Sequence, residues 1–147
     1  MSRIMADFII HTDGGARGNP GPAGAGVVVA DGKGMVLKRL SKFLGTQTNN
    51  WAEYEALIYA LQELKKIVPE NNRAKTVVEI KMDSELVVRQ LNGEYQVKDE
   101  PLQLQYMKVH NIQVKDFPWL SFTHVPREEN AGADELANKA MDGAGNQ

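Results

Sequence analysis

Hydrophobic positions in this chain alternate in some stretches and recur at helical spacing in others, and the switches between the two periods predict its elements. Residues 4–12 read as a first strand, 25–30 as a second and 35–43 as a third. Asp31-Gly32-Lys33-Gly34 between the last two is a hairpin turn signal. Over residues 50–68 the period changes. Tyr54, Leu57, Ile58, Leu61, Leu64 and Val68 share a helical face, and Pro69 stops the run. Residues 76–82, with Val77, Val78 and Ile80, read as a fourth strand, and 84–91 as a short helix stopped near Gly93. Residues 102–114 read as a helix, 120–125 as a fifth strand and 130–141 as the last helix. Residues 142–147 read as a frayed tail.

This order predicts an α/β fold. A three-stranded meander opens the sheet, and helix-connected crossovers add strands parallel to the first. Ligands of such sheets gather beyond the carboxyl ends of the strands. The length, 147 residues, suits one domain with a real core, so residues 1–147 are expected to form a single domain.

Charge then narrows the choice of partner. Formal net charge is -2, so no global basic field favours nucleic acid, and any such contact must come from local cations or bound metal. There is no cysteine, which excludes disulfides and thiolate metal sites and fits a cytoplasmic protein. The first residues lack a signal-peptide pattern, and no apolar run reaches the length of a membrane span. A monomer without a membrane partner is the expectation.

Four acids fall at predicted strand ends or early helical turns: Asp13, Glu53, Asp83 and Asp134. Each has an ordinary structural explanation. Asp13 is a turn aspartate before glycine. Asn50-Trp51-Ala52-Glu53 reads as a capping box with Asn50 as N-cap. Asp83 can cap the helix after it, and Asp134 suits a helix dipole. Those explanations leave their convergence at one end of the sheet unexplained. Glu53 also shares an inward stripe with Leu57, Ala60 and Leu64, where a carboxylate needs a partner. Clustered carboxylates suit Mg²⁺, which takes oxygen ligands, and two such ions about 4 Å apart can serve phosphodiester hydrolysis. Without metal the acids should repel one another and some pKa values should rise.

Between the first two strands lies a glycine- and proline-rich run, residues 14–24. It lacks the Gly-Lys-Ser/Thr ending of a nucleotide P-loop, and a strand rather than a helix follows it. Its backbone amides and Asn19 can instead meet sugar hydroxyls in a shallow minor groove. Nucleophilic catalysis finds no cysteine and no Gly-x-Ser-x-Gly elbow, and the three histidines lack zinc spacing.

From about Asp7 to Met141 the chain resembles ribonuclease H of the small type 1 class. The resemblance rests on Thr12-Asp13-Gly14-Gly15, Gly18-Asn19-Pro20-Gly21, Thr48-Asn49-Asn50-Trp51-Ala52-Glu53, Asp83-Ser84, and Asn130 with Ala133-Asp134-Glu135-Leu136-Ala137. It implies a five-stranded mixed sheet flanked by helices, and hydrolysis of the RNA strand of RNA/DNA hybrids to 5′-phosphate and 3′-hydroxyl ends. It implies Asp13, Glu53, Asp83 and Asp134 as metal-binding catalytic acids, holding two Mg²⁺ ions that Mn²⁺ can replace. Gly14, Asn19, Thr48, Asn49 and Asn50 are implied as substrate-binding residues, with Thr48 at a DNA-strand phosphate. A nuclease that also cuts double-stranded RNA, or an inactive nucleic-acid-binding module, are the alternatives.

Two departures from the family pattern stand out. The connection before the last acid is short, His124-Val125-Pro126-Arg127-Glu128-Glu129-Asn130, without the longer histidine-bearing glycine loop of many bacterial relatives. Short-loop relatives keep an Arg-Glu pair here, which makes Arg127 the candidate assisting residue, while His124 reads as strand. The Lys/Arg-rich protrusion of some relatives is also missing. Gly93 to Glu100 is short and mixed in charge, which implies weaker hybrid affinity than in those relatives.

Overall fold

A computed structural model describes residues 5–145. Five strands form one sheet in the order β3-β2-β1-β4-β5. They are β1 (Phe8–Ala16), β2 (Gly21–Asp31), β3 (Val36–Gln47), β4 (Val77–Met82) and β5 (Trp119–His124). The helices are α1 (Asn49–Ile67), α2 (Glu70–Arg73), α3 (Glu85–Leu91), α4 (Glu100–Lys115) and α5 (Ala131–Gly145). β1 pairs antiparallel with β2 and parallel with β4, so the sheet is mixed as expected.

Alternation along β2 assigns the two faces. Ala25, Val27 and Val29 are fully buried, and the two valines share a core with Leu57, Leu61 and Leu64 of α1. Gly24 and Gly26 face the other way, where α5 packs directly on the strand. A Cβ on Gly26 would lie 2.0 Å from the Ala133 carbonyl oxygen, and one on Gly24 would lie 2.5 Å from that of Ala137. The glycines that suggested a loop are therefore strand residues cleared for a helix.

That point corrects the first two strands. β1 runs on to Ala16 rather than stopping at residue 12, and β2 begins at Gly21 rather than at residue 25. Their antiparallel ladder continues through Gly14↔Ala25, Gly15↔Gly24 and Ala16↔Ala23. The parallel ladder with β4 ends earlier, at His11↔Lys81. Asp13 is thus inside a strand, yet beyond the last residue paired to its parallel neighbour. Residue 4 of the predicted first strand lies outside the described residues.

Other boundaries shift as well, and β3 runs on to Gln47 rather than ending at residue 43. α1 starts at Asn49 and Thr48, not Asn50, is its N-cap: the Trp51 amide donates to Thr48 Oγ1 at 3.3 Å. Ser84 rather than Asp83 caps α3, accepting from the Val87 amide. A single helical turn, α2, follows Pro69, and a 3-10 turn, Arg127–Asn130, precedes α5. α5 extends to Gly145, past the expected end at Met141, and residues 146 and 147 of the expected frayed tail lie outside the described residues. No helix among the described residues is long and apolar enough to cross a membrane.

Candidate active site

The first acid is placed by β1, which carries Asp13 past the end of β4. Asp83 follows the last residue of β4, and its side chain is free because Ser84 does the capping. Glu53 comes from the first turns of α1. Its Oε1 accepts from the Gly14 amide at 3.2 Å. Asp13, Glu53 and Asp83 each offer a carboxylate oxygen, and these all lie within 4.8 Å of one another. Asp134, on α5, stands at the rim of the same cleft with its side chain 31% exposed, and Arg127 Nη2 is 3.8 Å from its Oδ1.

Burial sets the electrostatics. Asp13 is pushed up to about 7, chiefly by burial, with Asp83 and Asp134 adding to the rise. Glu53 is raised well above the carboxylate range by burial and then by the Asp13 charge. Glu53 Oε2 is buried with no donor. Such an oxygen is costly unless a proton or a cation sits between it and Asp13. Neither acid is serving as a cap, so the ordinary explanations of Glu53 and Asp83 fail. The donor set is oxygen only, which suits a hard divalent cation.

The cleft, about 490 Å³, is also walled by Asn49, Asn50, Arg17, Asn138 and Met141. Two asparagine side chains are each fixed by a backbone amide. Asn49 Oδ1 accepts from the Ala16 amide at 2.8 Å, and Asn19 Oδ1 accepts from the Asn49 amide at 3.1 Å. Both amide oxygens are used, which leaves both NH₂ groups as free donors. Asn19 and Thr48 stand just outside the acid cleft, at the β1–β2 turn and the start of α1. Gly14 lines the cleft for a packing reason: a Cβ there would lie 2.1 Å from the Ala52 carbonyl oxygen.

Comparisons with known proteins identify the family of this fold. A family model described as reverse transcriptase-like matches residues 11–140. The solved structure of LC11-RNase H1, isolated from compost, is 51% identical with a TM-score of 0.89, covering 95% of this chain and 99% of that one. This chain belongs to the ribonuclease H family, type 1. A second structure of that relative, in complex with an RNA/DNA hybrid, matches at 51% identity and a TM-score of 0.89, covering 93% of this chain and 98% of that one. Ribonuclease HI of Halobacterium salinarum is 39% identical over 142 residues, which is 97% of this chain and 66% of that protein. A bifunctional protein of Mycobacterium tuberculosis is 41% identical over 138 residues. Those are 92% of this chain and only 36% of that longer protein.

Within this ribonuclease H chain, His124 ends β5 and is exposed. It lines a separate small cleft with Glu85, Arg89 and Asn92, away from the acids. Arg127 lies in the acid cleft with its side chain 80% exposed. Three residues of consequence were not assigned a role by sequence reasoning. Asn130 is almost fully buried and donates from Nδ2 to the Thr12 carbonyl at 2.9 Å, which ties the 3-10 turn to β1 beside Asp13. Arg17 and Asn138 face each other across the cleft mouth. Asn130 carried a signal, since it opens the motif that holds Asp134. Arg17 and Asn138 carried none, because only the packing of α5 on β2 brings them together.

Proposed function

We propose that this chain is a metal-dependent endonuclease that hydrolyses the RNA strand of RNA/DNA hybrids, leaving 5′-phosphate and 3′-hydroxyl ends. The observation that carries the reading is the set of three buried or half-buried carboxylates with oxygens within 4.8 Å, one of them holding an unpartnered buried oxygen. Asp13, Glu53 and Asp83 would hold one Mg²⁺, and Asp13 with Asp134 a second, with Mn²⁺ able to replace either. Bound metal would supply an activated water at neutral pH and stabilise the charge on the leaving oxygen.

The chain's own residues do the rest. Asp13 and Glu53, whose pKa values burial raises, would bind a cation in their ionised forms, so metal binding would release protons. The free NH₂ groups of Asn19 and Asn49 donate to minor-groove acceptors and ribose oxygens, where RNA differs from DNA. The Thr48 hydroxyl can donate to a phosphate of the DNA strand. Arg127 is solvent-exposed and held only at 3.8 Å by Asp134, so it can follow the phosphate at the cut.

Labelled RNA/DNA hybrid, double-stranded RNA and double-stranded DNA, incubated side by side with Mg²⁺, test this reading. Cutting confined to the RNA strand of the hybrid is the expected result. Equal cutting of double-stranded RNA would replace it with the broader nuclease, and hybrid binding without cutting would replace it with a binding module.

A further inference from the structure

Arg17 sits in the tight turn between β1 and β2, and its backbone is fixed. Its amide donates to the Pro22 carbonyl at 2.9 Å, and the amide of its neighbour Ala16 is held by Asn49. Its side chain is held more loosely. The guanidinium pairs through Nη1 with Asp142 and through Nη2, at 3.5 Å, with Asn138 Oδ1. Asn138 in turn donates to the Asp134 carbonyl at 3.0 Å, so the latch rests on the helical turn that carries a site acid.

Three features make this pair more than a surface ion pair. Arg17 and Arg127 are the only cations among the described residues lining the acid cleft. A polyanion approaching four carboxylates needs such cations before any other attraction in the protein can help it. The pair is also weak, because the side chains of Arg17 and Asp142 are 48% and 64% exposed, and exposed ion pairs contribute little. A phosphate can accept two parallel hydrogen bonds from a guanidinium, which a screened surface carboxylate competes against poorly.

We propose that Arg17 leaves Asp142 when the hybrid binds and grips a backbone phosphate, with Asp142 acting as a competing counter-ion that weakens binding in the free enzyme. This rests on the hybrid-cleaving reading and adds to it a contact residue and a built-in competitor. The two residues then have opposite effects on affinity, which a purely structural ion pair does not produce.

Hybrid affinity as a function of salt, with Asp83→Asn in every variant to keep the hybrid intact, tests the proposal. Arg17→Ala should weaken binding roughly three- to tenfold and make the salt slope shallower by about 1. Asp142→Asn should tighten binding about two- to fivefold, an electrostatic gain that salt erases. With Arg17→Ala already present, Asp142→Asn should change affinity by less than about twofold, because coupled residues are not additive. Glu70→Gln, on exposed α2 before the amino end of β4, makes the same change in net charge and should leave affinity unaltered. An equal gain from Asp142→Asn with and without Arg17, or from Glu70→Gln, would overturn the proposal. So would an unchanged affinity in Arg17→Ala while the parent binds hybrid. A parent that does not bind hybrid at all would overturn the functional reading itself, and this inference with it.

Discussion

The amide of Gly14 donates to Glu53 Oε1 at 3.2 Å, joining residues 39 apart in sequence at the floor of the acid cleft. The bond exists because α1 lies directly on β1 there. A Cβ on Gly14 would meet the Ala52 carbonyl oxygen at 2.1 Å and the Glu53 amide nitrogen at 2.6 Å. Both of those atoms are backbone and cannot rotate away. Gly14→Ala should therefore push α1 off β1, cost about 1–3 kcal/mol as an overpacked contact, and lower cleavage by moving Glu53. Denaturant unfolding and hybrid cleavage of the same preparation check both parts. A Gly14→Ala protein of parental stability and activity would contradict the packing account.

Asp13 gives the metal-free protein a pH dependence of known sign. Its pKa is raised by burial from the ordinary 3.8 to about 7 in the folded state. The folded chain therefore binds this proton more tightly than the unfolded chain. The stability it contributes is full below about pH 4 and is lost as pH rises through about 7. Glu53 acts in the same direction. In chelator, thermal stability should fall between pH 5 and 8 by roughly 1–3 kcal/mol. Asp13→Asn should flatten that decline and raise the Tm at pH 8, and Mg²⁺ should restore the parent but not the variant. A flat profile in the parent would show that the acids are not protonated as described.

A second buried carboxylate answers to a different rule. Asp116 is almost fully buried and pairs with Lys65 at 3.1 Å and Arg73 at 3.3 Å, ending α4 against α1 and α2. Although burial opposes it, these cations hold its pKa below the usual carboxylate value. Asp116→Ala strands two cations in a partly closed site and should cost about 3–5 kcal/mol. Unfolding midpoints with and without Mg²⁺ should fall together, since this cluster is remote from the acid cleft. A loss confined to the metal-bound form would contradict the separation.

Arg127 and His124 are separated by the same logic. Arg127 lies in the acid cleft and His124 in another. Arg127→Ala should reduce kcat by about tenfold or more, with stability changed by less than about 0.5 kcal/mol because the side chain is exposed. His124→Ala should leave kcat within about twofold. Loss of turnover in the histidine variant, with Arg127→Ala intact, would reverse the assignment.

Much of this was legible in the sequence, and the exceptions share a cause. The order of strands and helices follows from period, because β4, α1 and β5 each carry their own apolar pattern. The acids could be named because they stand beside those elements. The extent of β1 and β2 could not be read, because Gly14, Gly15, Gly24 and Gly26 look like a loop until α1 and α5 are placed against them. The cap of α1 was misread for a related reason. Thr48 and Asn50 are both good N-caps, and only the meeting of Glu53 with Gly14 shows that Glu53 is not in a capping box. Arg17, Asn138 and Asp142 meet only through the long-range packing of α5, for which no local pattern exists.

The most direct test of the central claim is cleavage of a labelled RNA/DNA hybrid with Mg²⁺, with Mn²⁺ and with chelator, using the parent and Asp83→Asn in parallel. The carboxylate cluster predicts metal-dependent cutting of the RNA strand alone, abolished by chelator and lost in the variant while its fold is kept. Cutting that survives Asp83→Asn, or a folded parent that leaves the hybrid whole under both metals, would contradict it.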